Sequence, residues 1–168
     1  LLSRSFPTIA AASTEIINLE AIVNLPKGTE HFLADLHGEY EAFINLLRSA
    51  SGMIREKIDE TFDYVLAEEE ELALANLIYY PKKGLREIQK EGRFTEDWQK
   101  ITIYRLVRIC KECASKYTRS KVRKALPKDF AFVIEELINE KSEVQDKEAY
   151  YEEIVHTIIE IGRAEEFI

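Results

Sequence analysis

Apolar residues recur along this chain mostly at helical spacing. In "TIAAASTEIINLEAIV" the positions Ile16, Leu19, Ile22 and Val23 form a stripe, and Pro7 suits a first turn. "LPKG" at 25–28 fits a type I turn, with Pro26 second and Gly28 fourth. The strand-like "TEHFLAD" follows, and a helix is expected from about Glu39 with Phe43, Leu46 and Leu47 inward. Ile54, Ile58 and Phe62, spaced by four, predict a helix after Gly52. "AEEEELALANLIYY" places glutamates in a first turn, where the helix dipole favours them, and Pro81 is expected to stop it. Thr95 is a candidate cap for a long helix through "EDWQKITIYRLVRICKECASKY". "PKDFAFVIEELI" opens with Pro127 and Asp129, and "KEAYYEEIVHTIIEIG" ends on Gly162 at a C-cap position. The expectation is seven or eight helices and one short β-strand near residues 30–35, a mainly α chain. From about Ser51 onward the helices are expected to form one layer, with Ile101, Leu106, Ile109, Phe132, Ile134, Leu137, Ile154 and Ile158 in its core.

A lone strand cannot satisfy its own hydrogen bonds, so the pattern points to partners elsewhere. The chain also opens at Leu1 rather than methionine and closes abruptly on "GRAEEFI". It is expected to be a piece of a longer protein. Composition changes this little: 46% of the residues are hydrophobic and 32% charged, which suits a packed domain rather than disorder. No apolar run reaches the roughly 18 residues of a membrane span, and no signal peptide is visible. The net charge of -8 argues against nucleic acid as a partner. Two cysteines give no disulfide framework, so a reducing cytoplasm is the default.

The chemistry-bearing stretch is "EHFLADLHGEYEAF" at 30–43. Asp35 ends the apolar run, His37 stands two residues on, and Gly38 opens a helix. Sites in α/β proteins form beyond the carboxyl ends of strands, and residues two apart project to one side of an extended backbone. One carboxylate oxygen and one imidazole nitrogen suit Mn, Fe or Zn. His31 is not a third ligand on this reading, because four residues of strand set it roughly 13 Å back. The competing reading makes Asp35 a helix cap and His37 a solvated loop residue. Glu39 and Glu41 are first-turn glutamates with no assigned role.

The strings "NLPKGTEHFLADLHGEYEAF" and "SKYTRSKVRKALPKDFAFVIEELI" resemble, in the same order, two stretches of class III fructose-1,6-bisphosphatases, calcineurin-like metallophosphoesterases. The resemblance implies that Asp35 and His37 are metal ligands of the first ion in a two-metal centre, with Mn²⁺ as the expected divalent metal. It implies hydrolysis of the 1-phosphate of fructose 1,6-bisphosphate to fructose 6-phosphate and phosphate, a step of gluconeogenesis. The Gly-Asp-x-x-Asp and Gly-Asn-His motifs of that superfamily do not occur in this chain. His156 lies in an amphipathic pattern and reads as structural. The implied architecture is an N-terminal part of an α/β metallophosphoesterase sandwich. Residues 1–50 would start the metal-bearing domain, and residues 51–168 would be a helical insertion between the first and second metal motifs.

"KYTRSKVRKALPK" at 116–128 carries six basic residues and no acidic one. Arg119, Lys121, Arg123 and Lys124 could contact sugar phosphate, a nucleotide or phosphorylated-metabolite effector, or an acidic partner. A solvated helix face or pairing with the chain's own glutamates accounts for the same pattern. Cys110 and Cys113 have the spacing of a zinc or redox pair but fall mid-helix, with no second ligand pair, so they read as packing residues. Tyr79-Tyr80 and Tyr150-Tyr151 read as helix-packing pairs. A homo-oligomer is compatible with the sequence. The alternative from another class is a non-catalytic helical interaction or regulatory module, in which Asp-x-His is incidental.

Overall fold

The computed structural model describes residues 2–26, 30, 32–139 and 145–168, with backbone alone at 51 and 145–147. Its elements are α1 (Leu2–Ser5), α2 (Ile9–Val23), α3 (Tyr40–Ser49), a 3₁₀ turn (Ala50–Gly52), α4 (Met53–Thr61), α5 (Glu68–Tyr79), α6 (Pro81–Lys90), α7 (Glu96–Ala114), α8 (Arg119–Ala125), α9 (Ala131–Ile138), α10 (Gln145–Glu160) and α11 (Ala164–Phe167). Among the described residues there is no strand. The one expected near 30–35 is therefore a correction: Glu30 and Phe32 to Asp35 carry no ladder, and residue 31 lies outside the described residues. Apolar composition alone does not make a strand. A ladder needs a second extended segment to receive its amides and carbonyls, and these helices offer none. The turn expected at 25–28 falls largely on residues 27–29, outside the described residues.

Local chemistry sets the helix starts. Thr8 accepts a hydrogen bond from the Ala11 amide at 3.1 Å, so α2 begins after its threonine cap and Pro7 precedes the cap rather than entering the first turn. Thr95 does the same for α7, accepting from Trp98 at 3.2 Å. Pro81 ends α5, as expected, but also occupies the first position of α6, where its missing N–H costs nothing. Gly84 lets α6 fold back on α5, because a Cβ there would stand 3.1 Å from Leu77 Cδ1. Gly162, at φ +73°, closes α10: its amide donates to Ile159 O at 3.0 Å and that of Arg163 to Ile158 O at 2.9 Å.

The packing is organised on α7. One cluster joins it to α4 and α5 through Ile58, Leu74, Ala75 and Ile109, with Ile54, Phe62 and Leu106 packed around them. The other joins it to α10 and α11 through Ile103, Ile158 and Ala164, with Val133 of α9 and Ile154 at the edge. Of the expected core, Ile109, Leu137 and Ile158 are buried, while Leu106, Ile134 and Ile154 are half-buried. Ile101 and Phe132 are exposed. The inward positions near Ile101 belong to Gln99, Thr102 and Ile103. Gln99 is accommodated because its side-chain amide donates to Phe94 O at 3.2 Å. Phe132 faces away while Leu137 and Ile138 of α9 turn inward.

Charged groups tie the same helices. Glu70 of α5 accepts from Arg105 Nη2 of α7 at 2.7 Å, and the Arg105 guanidinium holds the Glu70 carboxyl below its ordinary range. Glu71, nearly buried, pairs with Arg55 of α4. Arg108 donates to Thr61 O at 2.8 Å and stacks on Phe62 at 4.8 Å. Among the described residues, every buried side-chain nitrogen or oxygen has a partner. Asp59 is the discordant carboxyl: desolvation and the neighbouring Glu71 push its pKa up.

Ile58 has no exposed surface, so Ile58→Ala should cost about 2–5 kcal/mol, whereas Ile101→Ala should cost less than about 1 kcal/mol. Urea unfolding of the two variants checks this directly. The pH dependence divides by sign. Protonated Asp59 is favoured by the fold, so its contribution is present below the ordinary aspartate pKa and is lost as pH rises through the raised value. Asp59→Asn should therefore be the more stable protein at pH 7, with the advantage shrinking in acid. Glu70 behaves oppositely: its contribution is present above the ordinary glutamate pKa and is lost as pH falls through the depressed one. Glu70→Gln should be destabilised at pH 7 and approach the parent in acid. Thermal melts across pH 3–8 distinguish the two.

Candidate metal centre

The segment before α3 brings Asp35 and His37 together by a turn, not by the alternation of a strand. Leu36 O accepts from the Glu39 amide at 2.9 Å. The two central residues, His37 and Gly38, have φ of +49° and +78°, the signs of a type I′ turn. Glycine reaches this region freely, whereas for histidine it is an uncommon conformation. The turn curls the imidazole back on the carboxylate. His37 Nε2 stands 3.5 Å from Asp35 Oδ2, and Asp35 Oδ1 accepts from the backbone amide of His37 at 3.4 Å. The Asp35 side chain therefore bonds within the turn, and α3 has no side-chain cap. A shallow depression of about 200 Å³ adjoins the turn, bounded by Leu36, Gly38, Glu39, Tyr40 and Phe43.

Two ligands of one ion, each at about 2.0–2.2 Å, lie about 2.8–3.6 Å apart at octahedral or tetrahedral angles. The Asp35–His37 separation is close to that span, and both side chains are open to solvent, at 76 and 79%. The pair fits two positions of a coordination shell. It does not complete one: among the described residues no group of three or more His, Cys, Asp or Glu side chains is placed to hold a metal. Position 31, argued away from this ion on strand spacing, lies outside the described residues. His156 sits on α10 and is exposed rather than buried in the core.

The turn is connected to the helical layer through α3, which packs on α4 and α5. Tyr80, between α5 and α6, donates its hydroxyl proton to Asn45 Oδ1 on α3, and Arg48 lies over the Tyr80 ring at 5.2 Å. No motif reading of the sequence singled out this link, although the Tyr79-Tyr80 pair marked the place. Tyr79 itself packs on the first cluster.

The basic run proves largely exposed. Arg119, Lys121, Arg123 and Lys124 are all open to solvent, on a short helix capped by Thr118, which accepts from the Lys121 amide at 3.3 Å. Arg123 pairs with Glu135 at 3.3 Å, and Lys121 lies 4.9 Å from the Tyr117 ring centre. Arg119 borders a groove of about 310 Å³ between α7, α8 and α9, with Glu135 and Lys111 also on its wall. Among the described residues α8 has no substantial packing against α3, which rests mainly on α4 and α5. Cys110 and Cys113 are free and half-buried on α7. Burial pushes both thiols up, keeping them protonated at neutral pH, and Cys113 packs on the first cluster.

No helix among the described residues is long and apolar enough to cross a membrane. No solved structure matches the chain. Over all 168 residues it is 58% identical to a protein of Clostridium beijerinckii named fructose-1,6-bisphosphatase class 3 2, covering 26% of that relative. It is 58% identical to the fructose-1,6-bisphosphatase class 3 of Clostridium acetobutylicum, covering 25% of it. The corresponding protein of Clostridium botulinum strain Alaska E43 is 59% identical, with 26% covered. The chain thus spans about a quarter of the length of the curated relatives it matches. Residues 1–168 match the family described as Firmicute fructose-1,6-bisphosphatase, and with that match across its whole length the chain belongs to this family.

Proposed function

We propose that this chain is the part of a fructose-1,6-bisphosphatase that supplies the first two ligands of its metal centre, and that the whole protein releases the 1-phosphate of fructose 1,6-bisphosphate. The observation that carries the reading is the 58% identity to class 3 enzymes along the full chain. At the turn, support comes from a carboxylate oxygen and an imidazole nitrogen 3.5 Å apart, both facing solvent. A divalent ion bound there, Mn²⁺ by our reading, would polarise a phosphoryl oxygen and lower the pKa of water beside it. Asp35 contributes negative charge and an oxygen. His37 contributes a neutral nitrogen, which holds the ion without reducing its net charge. The His37 amide donates to Asp35 Oδ1 at 3.4 Å, which favours a carboxylate turned toward the His37 backbone.

The same reading divides the chain near residue 50. Residues 1–50 belong to the metal-bearing domain of a metallophosphoesterase, and residues 51–168 to a helical insertion. Both core clusters draw their members from Ile54 onward, which supports that boundary. We assign Arg119, Lys121, Arg123 and Lys124 to an anionic effector, a nucleotide or phosphorylated metabolite. Their exposure supports this, as does the fact that among the described residues Arg123 alone of the four makes an ion pair. Two protonated thiols with no disulfide suit a reducing cytoplasm.

In the full-length protein, Asp35→Asn and His37→Ala should each lower turnover by about 100-fold or more, beyond the effect usual for groups that merely orient a ligand. Bound Mn²⁺ per chain should fall in parallel, and raised Mn²⁺ should restore part of the rate. Near-normal turnover with full metal occupancy in both variants would remove the pair from the metal centre.

A further inference from the structure

The apolar side chains of α2 have nothing to pack on. Ile9, Ile16, Ile17, Leu19, Ile22 and Val23 are 50 to 87% exposed, and no residue of the helix is buried. At about 100° per residue, Ile9, Ile16 and Val23 share one side, Leu19 and Ile22 continue around it, and Ile17 flanks it from the other direction. The apolar character therefore extends well around the circumference, which marks a helix enclosed by protein rather than one resting on a surface. The exposure continues past the helix, with Phe32 at 90% and Leu33 and Leu36 above 40%. Residues 54–168 behave differently: they contain both core clusters.

We propose that α2 and residues 32–36 form a docking surface for further polypeptide of the same protein, the three-quarters of the length that class 3 relatives carry beyond the span matched here. Three observations select this occupant. The relatives are roughly four times as long, since 168 residues make up 26% of one of them, so enough chain exists to enclose a helix. A second copy meeting α2 across a two-fold axis would cover one side and leave Ile17 or Leu19 and Ile22 in water. A membrane surface is recognised by lysine and arginine on the polar face, and α2 carries none; its charged residues are Glu15 and Glu20. The surface leads directly into the turn that holds Asp35 and His37, so docking there would place the turn against the remaining chain. The inference stands on packing and on relative length, not on metal ligation.

Hydrogen exchange of the full-length protein, read by mass spectrometry on peptides covering residues 9–23, tests it. A 15-residue helix exposed on all sides is marginal in water and exchanges fast. Docked, its amides should exchange within about 10-fold of those around Ile103 in α7. That protection should persist on about 100-fold dilution and be indifferent to phosphatidylserine vesicles. Ile17→Glu should accelerate exchange across α2 by on the order of 100-fold while leaving the α7 amides slow. Fast exchange in the parent protein would overturn the proposal. So would protection lost on dilution, which would identify a second copy, or protection gained only with vesicles, which would identify a lipid surface. None of these outcomes depends on phosphatase activity, so failure of the docking surface and failure of the metal assignment are separately visible.

Discussion

The helical layer depends on one helix being buried from two directions. Ile103 and Ile109 of α7 lie about 120° apart around its axis, and each anchors a separate cluster. Helices α4 and α5 approach from one side, and α9, α10 and α11 from the other. Among the described residues α7 alone places buried side chains in both clusters, and Gln89 of α6 adds a lighter tie between the two groups, donating to Glu165 of α11 at 2.8 Å. Charge follows the same plan. Arg105 and Arg108 project from α7 toward α5 and the end of α4, where one meets a carboxylate and the other a terminal carbonyl. The carbonyl of Thr61 is one that its own helix leaves unsatisfied, so Arg108 acts as a tertiary cap as well as a stacking partner for Phe62.

The Asp35–His37 turn sits outside this arrangement and is held to it indirectly. Asp35 and His37 are brought together by backbone sign at His37 and Gly38, which is local chemistry. What places the turn relative to the layer is α3, and α3 has no buried residue of its own. Its attachment is amphipathic: half-buried Phe43 and Leu46 on one face, and the Tyr80–Asn45 hydrogen bond with Arg48 over the ring on another. Helices held by a few polar contacts are drawn from the low-stability end of a fold. The solvent-facing Asp35–His37 pair fits that position better than the interior around Ile103 would.

Much of the layer was legible in the sequence because its signals are local. The threonine cap of α7 and the glycine after α10 depend on residues within one turn of the helix end. Other features were not, each for a stated reason. Pro81 was read as a stop, and α6 was missed, although a proline that ends one helix is also suited to begin the next. Ile101 and Ile103 look alike two residues apart; which one turns inward is decided by Gln99, and a buried glutamine is tolerable only because Phe94 offers a carbonyl. The apolar run at 32–36 has a strand's composition, but a strand is a relation between two segments, and no local pattern contains the second one. The pairing of Asp35 with His37 was expected for a reason that proved incorrect. Alternation along a strand and a left-handed turn both bring residues two apart to one side.

That last coincidence bears on how the chain's two kinds of surface are to be understood. Where the sequence is apolar and the structure buries it, as at Ile58 and Ile103, the residue's job is done within these 168 residues. Where it is apolar and the structure leaves it open, as along α2 and at Phe32 and Leu33, the sequence is answering a constraint that lies elsewhere. The hydrophobic effect does not distinguish intended partners, so exposed area of this extent would favour association of any kind. The open apolar positions lie at Leu47 and earlier far more densely than after it, and they lead into Asp35 and His37. On the proposed reading the Asp35–His37 turn would need further donors to complete a coordination shell, and an apolar helix needs further side chains to complete its burial. Both incomplete features belong to the same stretch of chain, and a single docking event could satisfy the two together.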